Sequence, residues 1–401
     1  MAPLMRGMIP RHRPPQSVRT TLTALARGLL RRPTADAIES RYARLWNVDH
    51  VIWIPSARFG ITHAVRLCPQ PIETVATSAF NCGAVFHAVA ETGRLTQYVD
   101  TAPHSFLMST SGSPVPRSAV ILSEMFGQSF SREDHDRPFL QQATQRVFDM
   151  AMSVPHAARF DELRDHDVAV VSFGLGKSLY AGWGGLAVTH SAALAQRLRQ
   201  QRETAVVRSG LWANLRHDAR VLARVMAHQP AVYGPLRKRR STTDPATTFA
   251  DQPFSAATAE WHRGVSPLHG MLALDNADRA AVWSEQRRRL TADYREALAE
   301  VIPDGLPTAT TAACSHFCLR VPAAVRSRLR QHLWDHGVDA ATLFPVPRDL
   351  CPPHRFPHAT TASREVLNLP LSTQLTDAHT QRVVNSLSSS PLMERPHRRA
   401  A

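Results

Sequence analysis

Residues 168–189, VAVVSFGLGKSLYAGWGGLAVT, constrain this chain more than any other stretch. Residues 168–173 form a near-continuous apolar run, the composition of a strand buried on both faces. The run breaks at Ser172 into a glycine-containing turn, presents Lys177, and resumes after Gly184-Gly185 as a second strand over 185–189. The link is too short for a helical crossover, so the second strand is expected to run antiparallel to the first. Upstream, strand runs alternate with helical spacing. Strands are expected over 50–55, 74–78, 95–100, 119–125 and 146–150, and helices over 35–46, 59–67, 83–90 and 139–145. This alternation implies an α/β fold with a mainly parallel central sheet and helices on both faces.

After the second strand the chain turns helical, over 192–203 and 211–227. Residues 233–253 are basic, then Ser/Thr-rich, and are expected to form a mobile loop. A long helix over 268–301, broken near Asn276, leads into a smaller C-terminal α/β unit. That unit has strands at 316–321 and 366–369 and helices at 323–337 and 376–387. The expected organisation is therefore an N-terminal arm on the surface (1–34), a large domain (35–267), a small domain (268–388) and a disordered tail (389–401).

Composition singles out one residue. Lysine and arginine total 47, yet only Lys177 and Lys238 are lysines. An amine can lose its proton and attack a carbonyl, whereas a guanidinium cannot. Lys238 lies in the charge run 237–240, RKRR, where solvation suffices. For Lys177 a phosphate-loop role would need glycine at position 171, where Val171 stands. Two readings remain: a surface loop lysine, or a Schiff-base lysine for pyridoxal phosphate. That cofactor needs an amine for its aldehyde, an acid for its pyridine nitrogen and donors for its phosphate.

Partners for those roles are present, each with a plainer alternative. Asp149 ends a strand 28 residues before Lys177, where strand ends line a ligand crevice; it could equally be a helix N-cap. Ser172 is a hydroxyl in the lysine turn. Ser56, Ala57 and Arg58 lie between a strand and a helix, a ready anion site, although Ser56 could serve only as a cap. Phe80 follows the second strand and could stack on a flat ring or simply belong to the core.

These residues resemble the DegT/DnrJ/StrS family of pyridoxal-phosphate-dependent sugar aminotransferases, which have the aspartate-aminotransferase type I fold. The likeness spans roughly residues 35–388. Residues 37–65 are similar to the family's opening helix, strand and phosphate turn, and 148–153 (FDMAMS) to its Asp-Ala-Ala block. SFGLGKSL with GWGG resembles the segment carrying the cofactor lysine, and 366–387 the C-terminal signature. The resemblance implies that Asp149 meets the pyridine nitrogen, Ser172 the phosphate and Lys177 the aldehyde. It also implies a ping-pong transamination. An amino donor, glutamate or glutamine, gives its amino group. Lys177 shuttles the proton as base and acid, and a keto sugar, nucleotide-linked in this family, receives the amino group. A homodimer with a shared site is implied too.

Some positions depart from the family pattern. Met152 stands where Gln or His is usual beside the ring, and Ala57-Arg58 replaces Gly-Thr. His262 and Arg263 fall where an Asn-containing block serves the partner subunit or substrate, and Pro345-Val346-Pro347 replaces Pro-Leu-His. Two other functions therefore compete: a transaminase for a non-sugar ketone or cyclitol, and a non-catalytic basic regulator on the same scaffold. The net charge of +14 supports the second, but the basic residues are spread along the chain, which makes a nucleic-acid partner the weaker expectation. Five cysteines suit reduced thiols in a cytoplasmic protein, and no apolar run is long enough to span a membrane. Neither 314–318 (CSHFC) nor Cys351 with His354 and His358 has zinc-module spacing, so no metal is expected.

Overall fold

A computed structural model describes residues 7–113, 115–206, 210–238, 262–302 and 313–393. In chain order the elements begin α1 (Val18–Leu30), α2 (Ala35–Trp46), β1 (His50–Ile54), α3 (Ala57–Arg66), β2 (Thr74–Ser78), α4 (Gly83–Thr92) and β3 (Leu95–Val99). Next come β4 (Ser118–Ser123), α5 (Arg132–Asp136), α6 (Pro138–Gln141), β5 (Gln145–Asp149), β6 (Val168–Ser172), β7 (Gly185–Thr189), α7 (Ala192–Ala205), α8 (Leu211–Ala227) and α9 (Pro230–Lys238). The chain continues through α10 (Pro267–Leu298), β8 (Phe317–Arg320), α11 (Ala323–Asp335), α12 (Pro357–Glu365), β9 (Val366–Leu369) and α13 (Asp377–Ser388).

Seven strands form one sheet in the order β1-β7-β6-β5-β4-β2-β3. β2 pairs in parallel with β3 and β4, β4 with β5, and β5 with β6. β7 runs antiparallel to both β6 and β1, as its short link to β6 requires. β4 and β5 are buried along their whole length. Ile52, Ile54, Val75 and Val170 pack under α3 and α4 on one face. Trp53, Phe148, Phe173 and Leu186 meet α2, with Ile38, Tyr42 and Trp46, on the other. β8 and β9 make a separate two-stranded antiparallel sheet, whose core includes Phe317, Leu329, Leu333 and Tyr294 of α10.

Several expectations need correction. Residues 1–34 were expected to form a surface arm, but the described part runs into the interior. Met8 and Ile9 are buried, Ile9 pairs with Val338 beside the small sheet, and Ser17 caps a genuine helix, α1. Gln16 is also buried, donating to the Tyr180 carbonyl at 2.5 Å and to Asn276 at 2.7 Å. α10 is unbroken at Asn276, because that side chain bonds Gln16 and the Tyr180 carbonyl rather than its own backbone. The expected loop over 233–253 begins as the end of α9, and residues 239–253 lie outside the described structure. The expected tail starts by packing: Ser390 is buried and Leu392 and Met393 touch the small-sheet core, while 394–401 lie outside the described residues.

Candidate active site

Because β1, β2, β4, β5 and β6 share one direction, their C-terminal ends face one edge of the sheet, and a cavity of about 450 Å³ opens there. Its walls include Ser56, Ala57, Arg58, Ser123, Asp149, Met152, Ser172 and Lys177. Residues from four separate segments of the sequence thus meet in one crevice.

Asp149 ends β5, in register with Ser123 on β4 and Val170 on β6. Its Oδ2 accepts from Ser123 Oγ at 3.2 Å and its Oδ1 from Ala151 N at 3.1 Å. Ser123 is held in turn by Asn81 Nδ2 at 2.9 Å. The bond to Ala151 caps a turn, so the plainer reading of Asp149 as a cap is partly right, but no α-helix follows. Burial pushes its carboxyl above the usual range, against the opposing pull of the nearby Lys177 charge. Asp149 forms no ion pair among the described residues. A buried acid with two donors and no ion pair among the described residues fits the pyridine-nitrogen partner the cofactor needs.

Lys177 sits in a turn closed by Lys177 N to Gly174 O at 3.3 Å and by Ala181 N to Phe173 O at 3.0 Å. Gly176, Gly182 and Gly184 all have positive φ, which lets the chain reverse twice within a few residues. The Lys177 Nζ lies 3.2 Å from Met152 Sδ. Met152 therefore touches the amine directly.

The candidate phosphate elements line the same cavity. Ser56 caps α3, its Oγ accepting from Phe59 N at 3.1 Å, and with Ala57 and Arg58 lines the cavity at that helix N-terminus. The dipole at a helix N-terminus favours an anion there. Ser172 Oγ accepts from Gly174 N at 3.3 Å and also faces the cavity. The residues present therefore fit pyridoxal phosphate.

Three further expected residues lie outside the lining of the main cavity. Phe80 is fully buried among Phe106, Phe126 and Phe344, and its neighbours Asn81 and Cys82 line the cavity instead. His262 Nε2 pairs with Glu91 at 2.9 Å, its ring near His63 and Phe59. Arg263 lines a smaller adjoining pocket with His217, Arg220, Arg224 and His269, joined to the main cavity through Gly182, Trp183 and Arg224. Sequence reasoning missed His12, His316, Asn81, Ser123 and Arg224. Ser123 and Asn81 were findable as polar residues at strand ends. His12 carried no local signal.

The family model of the DegT/DnrJ/EryC1/StrS aminotransferases matches residues 17–226 and 266–388. The chain belongs to this family. A Streptomyces venezuelae transaminase, dTDP-3-amino-3,4,6-trideoxy-alpha-D-glucose transaminase, is 26% identical over 381 residues, covering 88% of this chain and 86% of that one. The crystal structure of S. venezuelae DesV in complex with a ketimine intermediate superposes with a TM-score of 0.68 at 24% identity, over 96% of this chain and 99% of that one. Bacillus subtilis NtdA with bound cofactor PMP gives 0.70 at 16% identity, over 97% and 86%. The two superpositions establish the shared fold. The protein is a pyridoxal-phosphate-dependent aminotransferase that takes a small amino donor and a keto acceptor, and the reading as a non-catalytic regulator is set aside.

Proposed function

We propose that this aminotransferase moves an amino group from glutamate or glutamine to a nucleotide-linked keto sugar. The observation that carries the reading is the meeting of Lys177 and Asp149 in one cavity at the strand ends of a chain in this family. The substrate class rests on the transaminase relative, whose own name is that of a dTDP-linked amino sugar enzyme. The adjoining pocket supports it. Arg220, Arg224 and Arg263 stand there with two histidines, a cationic lining suited to a diphosphate. A homodimer is supported by the exposed Leu211, Trp212 and Leu215 at the start of α8, an apolar patch that a second copy would cover. None of the five cysteines is in a disulfide, which supports a cytoplasmic setting.

When bound, pyridoxal phosphate supplies an aldehyde carbon for the amino group and a protonated ring that draws electrons from the substrate carbon. The chain's own residues do the rest. Lys177 Nζ is the amine that links to the cofactor and, once displaced, the base and acid that moves a proton at the substrate carbon. Asp149 holds the pyridine nitrogen, and the Asn81–Ser123 chain fixes its carboxylate. Ser56, Ala57, Arg58 and Ser172 hold the phosphate. The apolar cover from Met125, Leu343 and Phe344 keeps water from competing for the proton.

The test is the visible absorbance of purified protein with added cofactor, then with glutamate or glutamine, then with a panel of keto sugars and keto cyclitols. A cofactor band that bleaches with an amino donor and returns with a nucleotide-linked keto sugar is expected. Return only with a non-sugar ketone would overturn the substrate class. Lys177→Ala should keep its fold by circular dichroism, lose the covalent link and lose turnover.

A further inference from the structure

The N-terminal segment brings an imidazole to the lysine turn. His12 lines the cavity, and a Cβ placed on Gly176 would lie 3.3 Å from its ring. Behind it runs a hydrogen-bonded chain whose direction can be read. Ser315 Oγ bonds the Met152 carbonyl, which can only accept, so the hydroxyl proton is spent there. Ser315 Oγ therefore accepts from His316 Nδ1–H at 3.0 Å. His316 Nε2 then carries the lone pair and accepts from His12 Nδ1–H at 3.1 Å. The tautomer of His12 is fixed by its neighbours, and its Nε2 is left as a bare acceptor with no partner among the described residues.

We propose that His12 Nε2 accepts a hydrogen bond from a hydroxyl group of the keto acceptor, making His12 a specificity-determining residue of the second half-reaction. The inference rests on the aminotransferase reading of this cavity. The chain ends on a backbone carbonyl, which has no proton to pass on, so it orients the ring and conducts nothing. Burial first, and then the Arg11 charge, push His12 down to about 3; Asp339 opposes this, and His228 and Lys177 add smaller contributions. The neighbouring His316 is held neutral as well. The neighbouring cations disfavour a further ammonium here, while the lone pair of the neutral imidazole can accept from an uncharged hydroxyl donor. The segment is anchored for the task. Arg11 forms a bidentate pair with Asp339 at 2.9 and 2.7 Å, and Gln16 is locked to the Tyr180 carbonyl, on either side of His12.

The experiment has two arms. In the holoenzyme, the glutamate half-reaction and the keto-acceptor half-reaction are followed separately by cofactor absorbance. The probe is the best acceptor in a panel of dTDP-linked keto sugars, together with its analogues lacking one hydroxyl. His12→Phe should weaken apparent acceptor binding about 10- to 100-fold while altering the glutamate step far less, and His12→Gln should recover most of the loss. Removing the facing hydroxyl should cost the native enzyme as much as His12→Phe does, and cost the variant nothing. Unchanged acceptor binding in His12→Phe, or equal losses in both half-reactions, would overturn the proposal. A native enzyme inert to both amino donors would instead sink the reading of the cavity itself. In the second arm, protein labelled with ¹⁵N-histidine is compared with His12→Phe. The resonances lost should be those of a neutral ring bearing its proton on Nδ1 from pH 8 to 5. An imidazolium, or a proton on Nε2, at pH 7 would refute the acceptor role independently of turnover.

Discussion

At the scale of single residues, the site depends on a carboxyl group set in a place that disfavours charge. Desolvation raises Asp149, and the bonds from Ser123 and Ala151 and the Lys177 field pull it back. Asp149→Asn keeps the shape and one acceptor oxygen but removes the counter-charge for the pyridine nitrogen. We expect a folded protein that still binds cofactor and whose kcat falls by about 10²- to 10³-fold, the size of loss seen when one preorganised electrostatic group is removed. Native rates in stopped-flow or coupled assays would make Asp149 a structural cap. Lys177 and Asp149 were legible in the sequence because one is nearly unique in its type and the other ends a strand at a telling distance. Phe80 was left open between crevice and core because a strand-end aromatic reaches either according to side-chain direction, which spacing alone does not give. His12 was illegible because its position is set by Arg11 pairing with Asp339, 328 residues away in the chain.

At the scale of elements, the lysine turn works only if β6 and β7 approach closely. A Cβ on Gly185 would stand 2.4 Å from the Val171 carbonyl, inside the ladder between these strands. Gly185→Ala must push the two strands apart, at a cost of about 3 kcal/mol in overpacking strain. Urea denaturation should show a lower midpoint with the slope unchanged; an equal midpoint would mean the ladder tolerates the shift. The strands themselves were readable to within a residue or two, since buried parallel strands are written as unbroken apolar runs. The helix α1 was missed because Pro14 and Pro15 and the surrounding arginines suggested an extended arm, whereas the prolines lie just before its Ser17 cap. The break expected in α10 failed for a tertiary reason. Asn276 is an ordinary helix disruptor only when its amide competes for local backbone, and here Gln16 and Tyr180 occupy it.

At the scale of the molecule, the two sheets are joined by α10 and by the N-terminal segment. Asp339, buried before the end of the chain's small unit, gathers Arg11, Tyr233 and Arg237. Arg11 holds its carboxyl below the usual range despite burial. Arg11→Ala leaves that charge with the weaker partners, and we expect about 2 kcal/mol of destabilisation in denaturant titrations, less than the loss of a sole buried partner. No measurable loss would mean Arg237 and Tyr233 suffice. The same interior sets a pH dependence. His12 and His269 are pushed to about 3 and His63 to about 4, chiefly by burial. Their unfolded forms titrate near 6.5, so between that value and the folded values the unfolded chain binds more protons. Stability should therefore fall as pH drops from about 6.5 toward 4. A thermal midpoint flat across that range would show that these rings are not buried neutral. The fold class was open to reading from alternation alone. The joining of the two units was not, because it rests on contacts between residues hundreds of positions apart.

The central claim is that one particular amine holds the cofactor, and the chain offers a choice of only two lysines. Borohydride reduction of the cofactor-loaded protein, followed by peptide mass mapping, reads that choice directly. A single reduced cofactor adduct on Lys177, absent after Lys177→Ala, is the predicted result. An adduct on Lys238, or none on a protein that shows the cofactor band, would contradict the account.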